Sequence, residues 1–246
     1  MSLSKSLRPS SPAQRDHLID RLSLRPAAAL LAVGFLCYVV MGLLHTGGPA
    51  NEHEEVFEAY AGSSTWTAVH LGQFASMALI IAGLLVLHAA LDLQAGGSAW
   101  AARLGAVSAA VTLGLYAVLQ AVDGVALKQA VDAWVSAPDG EKAARFASAE
   151  AIRWLEWGVR SFQCLMLGLA LLLIAGAIVM TARLPRPIGV LMGLSGVTYV
   201  VQAWVLGFEG FADANTFAIL ASYVLIPAWI TWLAVIAWRA HPVEAS

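Results

Sequence analysis

The stretch WTAVHLGQFASMALIIAGLLVLHAAL, Trp66–Leu91, decides the fold. It holds 26 residues without an Asp, Glu, Lys or Arg. As a helix it extends about 39 Å, enough to cross a hydrocarbon core of about 30 Å. Polar and apolar residues do not alternate along it, as they would in a barrel strand. A lipid-exposed backbone must satisfy its own hydrogen bonds, so the segment reads as a transmembrane helix.

Working outward, five further apolar segments follow the same logic. The six spans fall at about 27–44, 66–91, 100–123, 160–182, 187–208 and 216–238. The expected fold is all-α, a polytopic membrane helix bundle of six transmembrane helices over 27–239. Residues 1–26 and 240–246 read as tails, with outer loops at 45–65 and 124–159. Composition agrees: of 246 residues 59% are hydrophobic and 12% charged, about half the charged share of a soluble domain, and the mean hydropathy is +0.73. A net charge of −2 gives no footprint for nucleic acid, leaving the bilayer as the implied partner. Cys37 and Cys164 lie in apolar stretches and read as small core filler. The Ser- and Pro-rich start lacks a signal-peptide cleavage pattern, so the first apolar run reads as a retained span.

Orientation comes from the basic residues. Lys5, Arg8, Arg15, Arg21, Arg25, Arg103, Arg183, Arg186 and Arg239 fall on the side of the termini, facing only Asp16, Asp20, Asp92 and Glu244. The opposite side carries the acidic excess. Both termini are therefore expected to be cytoplasmic, and the Ala-, Leu- and Gly-rich composition suits a bacterial inner membrane. Trp66, Trp154, Trp157 and Trp238 read as interfacial anchors.

The connections differ in kind. Leu184–Pro187 forces a tight inner turn. The flanks of 125–150 have helical spacing around SAPDGE, so helices three and four are expected to continue past the bilayer into an outer cap. NEHEEVFEAYA reads as a short amphipathic helix laying Val56, Phe57 and Tyr60 on the membrane. TGGP, Thr46–Pro49, reads as a turn whose glycines take φ > 0. VHLGQF (Val69–Phe74) lines up with VRSFQC (Val159–Cys164), and Tyr38/His45 with Tyr116/Asp123, a faint sign of duplicated hairpins.

Function gathers at the outer helix ends. His70, Gln73 and Met77 form one stripe, Tyr116, Gln120 and Asp123 another, and Arg153, Glu156, Arg160 and Gln163 a third. Ionisable groups at that level cost about 2.5–3.5 kcal/mol near mid-helix if they face lipid. They are expected to face one another across an outward-opening pocket. Its candidate ligand-binding residues are His45, His70, Gln73, Asp123, Glu156 and Arg160. Imidazole with carboxylate is a ligand set for Zn, Fe or Cu, so His45, His70, Asp123 and Glu156 are the candidate metal ligands. Such a centre could be hydrolytic, with Arg160 holding a substrate anion. A single haem between His45 and His70 is an alternative cofactor. The bland alternative is an ion-pair lock, Asp123 with Arg160 and Glu156 with Arg153, in a non-catalytic subunit or scaffold. A proton-coupled or small-solute carrier is the third reading, although polar side chains are sparse at mid-membrane. His53 reads as part of a solvated acidic loop able to take a divalent cation weakly, and His88 as an interfacial histidine. No H-E-x-x-H, phosphate-binding loop or G-x-x-x-G dimer face carries weight.

Overall fold

The computed structural model describes residues 21–239. The two tails expected at the chain ends lie outside these residues, except for Arg21–Pro26. The described chain is all-helical. Helix α1 spans Arg21–Leu44, α2 His53–Gly62, α3 Trp66–Leu91 and α4 Gly96–Ala121. A π-helical segment, Val122–Leu127, leads into α5, Lys128–Val135. Then come α6 (Asp139–Thr181), α7 (Arg186–Glu209) and α8 (Asp213–Trp238). Six stretches are long and apolar enough to cross a membrane: α1, α3, α4 with its extension to Val135, α6, α7 and α8.

The spans pack in sequence order, and α8 returns to α1 to close the ring. Half of the most apolar window of α6 is buried, against 22% for α1, which makes α6 the hub. Lipid tails are as apolar as leucine, so such helices associate through close packing of small residues. Gly168 of α6 and Gly196 of α7 show this directly. A Cβ on Gly168 would lie 2.8 Å from the Gly196 carbonyl oxygen, and one on Gly196 would lie 2.9 Å from that of Gly168. Small-residue packing thus carries the α6–α7 seam, a role that the sequence spacing did not reveal. Leu36, Leu43, Trp204, Phe217 and Val224 face outward from the ring and are exposed, as a lipid-contacting surface requires.

At one end of the ring sits a cap. Helix α6 runs 43 residues without a break. Its first turns pair with α5 across Ser136–Pro138. Against them lies α2, whose Val56, Phe57 and Tyr60 pack with Trp66, Leu127, Val131, Trp134 and Ala149. This corrects the expectation that α2 rests on the membrane. Helices α5 and α6 project far enough to offer a protein surface, and the apolar face of α2 is buried there. The Lys128 ammonium donates to the last-turn carbonyl of Ala61, 3.1 Å away, besides pairing with Asp132. Trp66 is likewise no interfacial anchor: it is 2% exposed, inside the cap.

Candidate metal centre

The π-helical segment sets the site. In α4 the chain is regular through Ala121, and then Val122–Leu127 widens to the π geometry. Such segments free main-chain carbonyls and rotate the side chains that follow. Here α3 supplies the donors: Trp66 Nε1–H donates to the Asp123 carbonyl at 3.0 Å and Thr67 Oγ1 to the Gly124 carbonyl at 3.2 Å. Gly124 lets the two helices touch. A Cβ there would lie 2.7 Å from the His70 Cβ and 3.0 Å from its Cγ. The result is a buried Asp123 carboxylate facing a buried His70 imidazole.

The His70 ring has a fixed orientation. Its Nδ1–H donates to the Trp66 carbonyl, 2.8 Å away in the preceding turn. Nε2 is left toward Asp123 Oδ2, at 3.1 Å. That contact is an ion pair when the imidazole is protonated, and Asp123 Oδ1 has no hydrogen-bond partner among the described residues. A neutral imidazole with its proton on Nδ1 presents a lone pair to the carboxylate. Two lone pairs that close call for a proton or a metal cation between or beside them.

His45 completes the group. It stands just beyond the end of α1, its ring 5.1 Å from that of His70 and 5.0 Å from that of Trp66. One nitrogen from each histidine and one Asp123 oxygen all lie within 4.8 Å of one another. These three residues can hold a metal ion. Burial is the main influence on His45 and pushes its pKa down to about 4, so the imidazole is neutral and available as a ligand at physiological pH. The two histidine rings are tilted by 59°, and Trp66 packs on both.

Beside this group opens a polar pocket of about 740 Å³, its mouth included, lined by His45, Gln73, Asp123, Tyr60, Glu156 and Arg160 among others. Glu156 is fully buried and paired with Arg153 through Oε2, while its Oε1 has no partner. The Arg153 guanidinium also donates to the Ala50 carbonyl at 3.2 Å and lies 5.2 Å from the Phe211 ring centroid. Arg160 lies under the same ring, at 5.3 Å. Phe211 is held there by Asn51, which accepts from its backbone N–H at 2.9 Å and donates to the Glu209 carbonyl. Burial lifts the Tyr60 phenol to about 12, keeping it a neutral donor at this wall.

All six residues anticipated from the sequence therefore meet at one end of the bundle. Five line the pocket, and His70 backs it through Asp123. The structure selects one partner set over another: Asp123 faces His70, not Arg160, whereas Glu156 does pair with Arg153. His53 is no solvated loop residue; its Nδ1 lies 3.0 Å from a Glu150 carboxylate oxygen and its ring stacks on Phe57. Gly47 and Gly48 line the pocket mouth, but neither has the positive φ expected of them; among described glycines only Gly96 and Gly210 do. Sequence reasoning missed Trp66, Tyr60 and Phe211. Trp66 is one turn before His70, which is the only trace it leaves in the sequence. Phe211 is brought in by a contact 160 residues long.

Comparison with family models, curated proteins and solved structures finds no match to this chain.

Proposed function

We propose that this protein is an integral membrane metalloprotein whose buried centre, His45, His70 and Asp123, faces an outward-opening polar pocket and serves hydrolysis. One observation carries the reading: one nitrogen from each of His45 and His70 and one oxygen of Asp123 lie within 4.8 Å of one another. The donor set is two nitrogens and one oxygen, the three-ligand pattern of catalytic Zn sites that keep a position open. A divalent ion held by such a set polarises a substrate oxygen and brings bound water to a pKa near 7.

The chain's own groups then divide the work. Trp66 fixes the tautomer and plane of His70, the usual task of a residue behind a metal ligand. Glu156, with Oε1 unpaired toward the pocket, is placed to take and return a proton. Arg153 orients Glu156, and Arg160 offers a guanidinium to an anionic part of the substrate. The carrier reading has less support. Between Arg160 and the arginines at the far end of the bundle, Arg25, Arg103, Arg183 and Arg186, the described spans place no charged side chain apart from interfacial His88.

Elemental analysis of the detergent-purified protein tests the proposal. One zinc, iron or copper per chain, lost in the His45→Ala/His70→Ala double variant, is the expected result. Wild-type protein free of transition metal after purification and reconstitution with Zn²⁺ would overturn it.

A further inference from the structure

The polar pocket does not end at Arg160. Tyr38, Arg160 and Tyr223 line it and also line a second, smaller chamber deeper in the bundle. All six spans contribute to the walls of this chamber, and its free space is about 70 Å³. It reaches far in. Trp229 of α8 lines it, and the rise from Asp213 to Trp229 is about 24 Å of the roughly 39 Å that this helix extends.

Two buried donors meet at this chamber. Gln163 is 3% exposed and Trp229 2%, and both line the wall. The Gln163 side-chain carbonyl accepts from the Cys164 thiol at 3.6 Å. Its Nε2 has no partner among the described residues, and neither has the indole Nε1–H of Trp229. Buried donors are almost always hydrogen-bonded, so two such groups at one cavity call for an occupant with an acceptor atom. Size then decides which. A water needs about 10–15 Å³ of such space and two to four polar partners, so the chamber has room for about five waters and none for a substrate. Partners are at hand, since Tyr116, Tyr199, Gln202 and Ser222 also line the wall. Leu31, Leu171 and Ile230 line the inner part, and Leu84, Ile174 and Leu233 of the same core cluster lie beyond them. Water therefore enters from the pocket side.

From this juxtaposition of unpaired donors and water-sized space we infer that the chamber is a hydrated well. It holds an ordered cluster of about five waters joined to the polar pocket through the doorway of Tyr38, Arg160 and Tyr223. The cluster solvates the Arg160 guanidinium from the membrane side, while the Glu156 carboxylate shares the pocket above. It also supplies the pocket with water from below when a substrate fills the mouth. Hydrolysis consumes one water per bond cleaved, the hydroxyl going to one fragment and the proton to the other. That supply role rests on the proposed metal centre; the hydration does not.

Radiolytic hydroxyl-radical labelling in H₂¹⁸O tests the well, on detergent-purified full-length protein with brief X-ray pulses and peptide mass spectrometry. Met77 and Met192 are a matched pair. They are 2% and 0% exposed, and Met77 lines the well where Met192 does not. Met77 should take up ¹⁸O about tenfold faster than Met192, because a buried water is the radical source beside it. Trp229 should be labelled too. Gln163→Leu removes the donor at similar volume, and Leu167→Phe fills the space. Each should bring Met77 down to the Met192 rate and Trp229 down with it, with Met192 unchanged as the sign of an intact fold. Met77 and Met192 labelled alike in the wild type overturns the inference. Labelling of Met77 that neither variant reduces also overturns it, because the water then lies elsewhere. Metal content is measured on the same samples. A hydrated well in protein without metal upholds the inference and overturns the metal reading alone; metal with a dry well does the reverse.

Discussion

Gly124→Ala is the sharpest probe of the centre, because it adds one carbon and removes no ligand. The new Cβ would lie 2.7 Å from the His70 Cβ and 3.0 Å from its Cγ, where ordinary contact begins at 3.4 Å. Relief requires the imidazole and the π-helical segment to part by about 0.7 Å. Metal sites tolerate about 0.2 Å in ligand distance, so the shift is several times what His70 and Asp123 can absorb while holding one ion. The Cβ and ring root of His70 cannot swing aside as a flexible tip could, since Nδ1 is tied to Trp66. Displacing a group that orients a ligand costs about 10–100-fold in metal affinity, which is about 1.4–2.8 kcal/mol. Overpacking adds about 1–3 kcal/mol to the loss of fold stability. The assay is competition for Zn²⁺ against a chromophoric chelator, with thermal unfolding in the same detergent. Gly114→Ala is the control: it lies in the same helix, a Cβ there meets nothing within 4 Å, and exchange of glycine for alanine in a helix favours stability by about 1 kcal/mol. Wild-type zinc affinity in Gly124→Ala would refute the argument that Gly124 sets the His70–Asp123 spacing.

Other outcomes follow from single contacts. Arg153→Ala strands the buried Glu156 carboxylate and should cost about 3–5 kcal/mol, whereas Arg153→Met with Glu156→Leu should recover most of it; melting temperatures of the two variants decide. Asn51→Ala removes both hydrogen bonds that hold the Glu209–Phe211 turn, so the Phe211 amide should exchange hydrogen faster, with a loss near 1 kcal/mol per bond. Ala182 ends α6 with φ +49°, and Ala182→Gly should stabilise by about 1 kcal/mol, seen as a higher melting temperature. In metal-stripped protein, the unfolded chain takes up a proton on His45 at an ordinary histidine pKa of 6.5, but the fold resists it down to about 4. Stability from this group is therefore intact above pH 6.5 and falls as the pH drops toward 4. His45→Gln should flatten that slope in pH-dependent melts, and an unchanged slope would remove His45 as its cause.

The amino-acid sequence by itself determined the six helices long and apolar enough to cross a membrane and the level at which polar groups collect. Both follow from one-dimensional physics: apolar runs longer than the hydrocarbon core, and a mixed set of His, Asp, Glu and Arg at one end of them where the other end carries mainly arginines. Helical spacing also put Arg153, Glu156 and Arg160 on one stripe, and that stripe does line the pocket. What each polar group faces was decided only in three dimensions. Sequence spacing on α4 gives Asp123 no preference between Arg160 and His70; the π-helical segment rotates it to His70, and Gly124 lets α3 come close enough. A π segment is fixed by donors from another helix, here Trp66 and Thr67, so nothing in the local sequence of α4 announces it. The apolar face of α2 was legible, but whether lipid or protein covers it depends on how far α5 and α6 project. The paired chambers joined at Arg160 have no sequence signature at all, since six separate spans contribute their walls and only ring closure of α8 onto α1 encloses them.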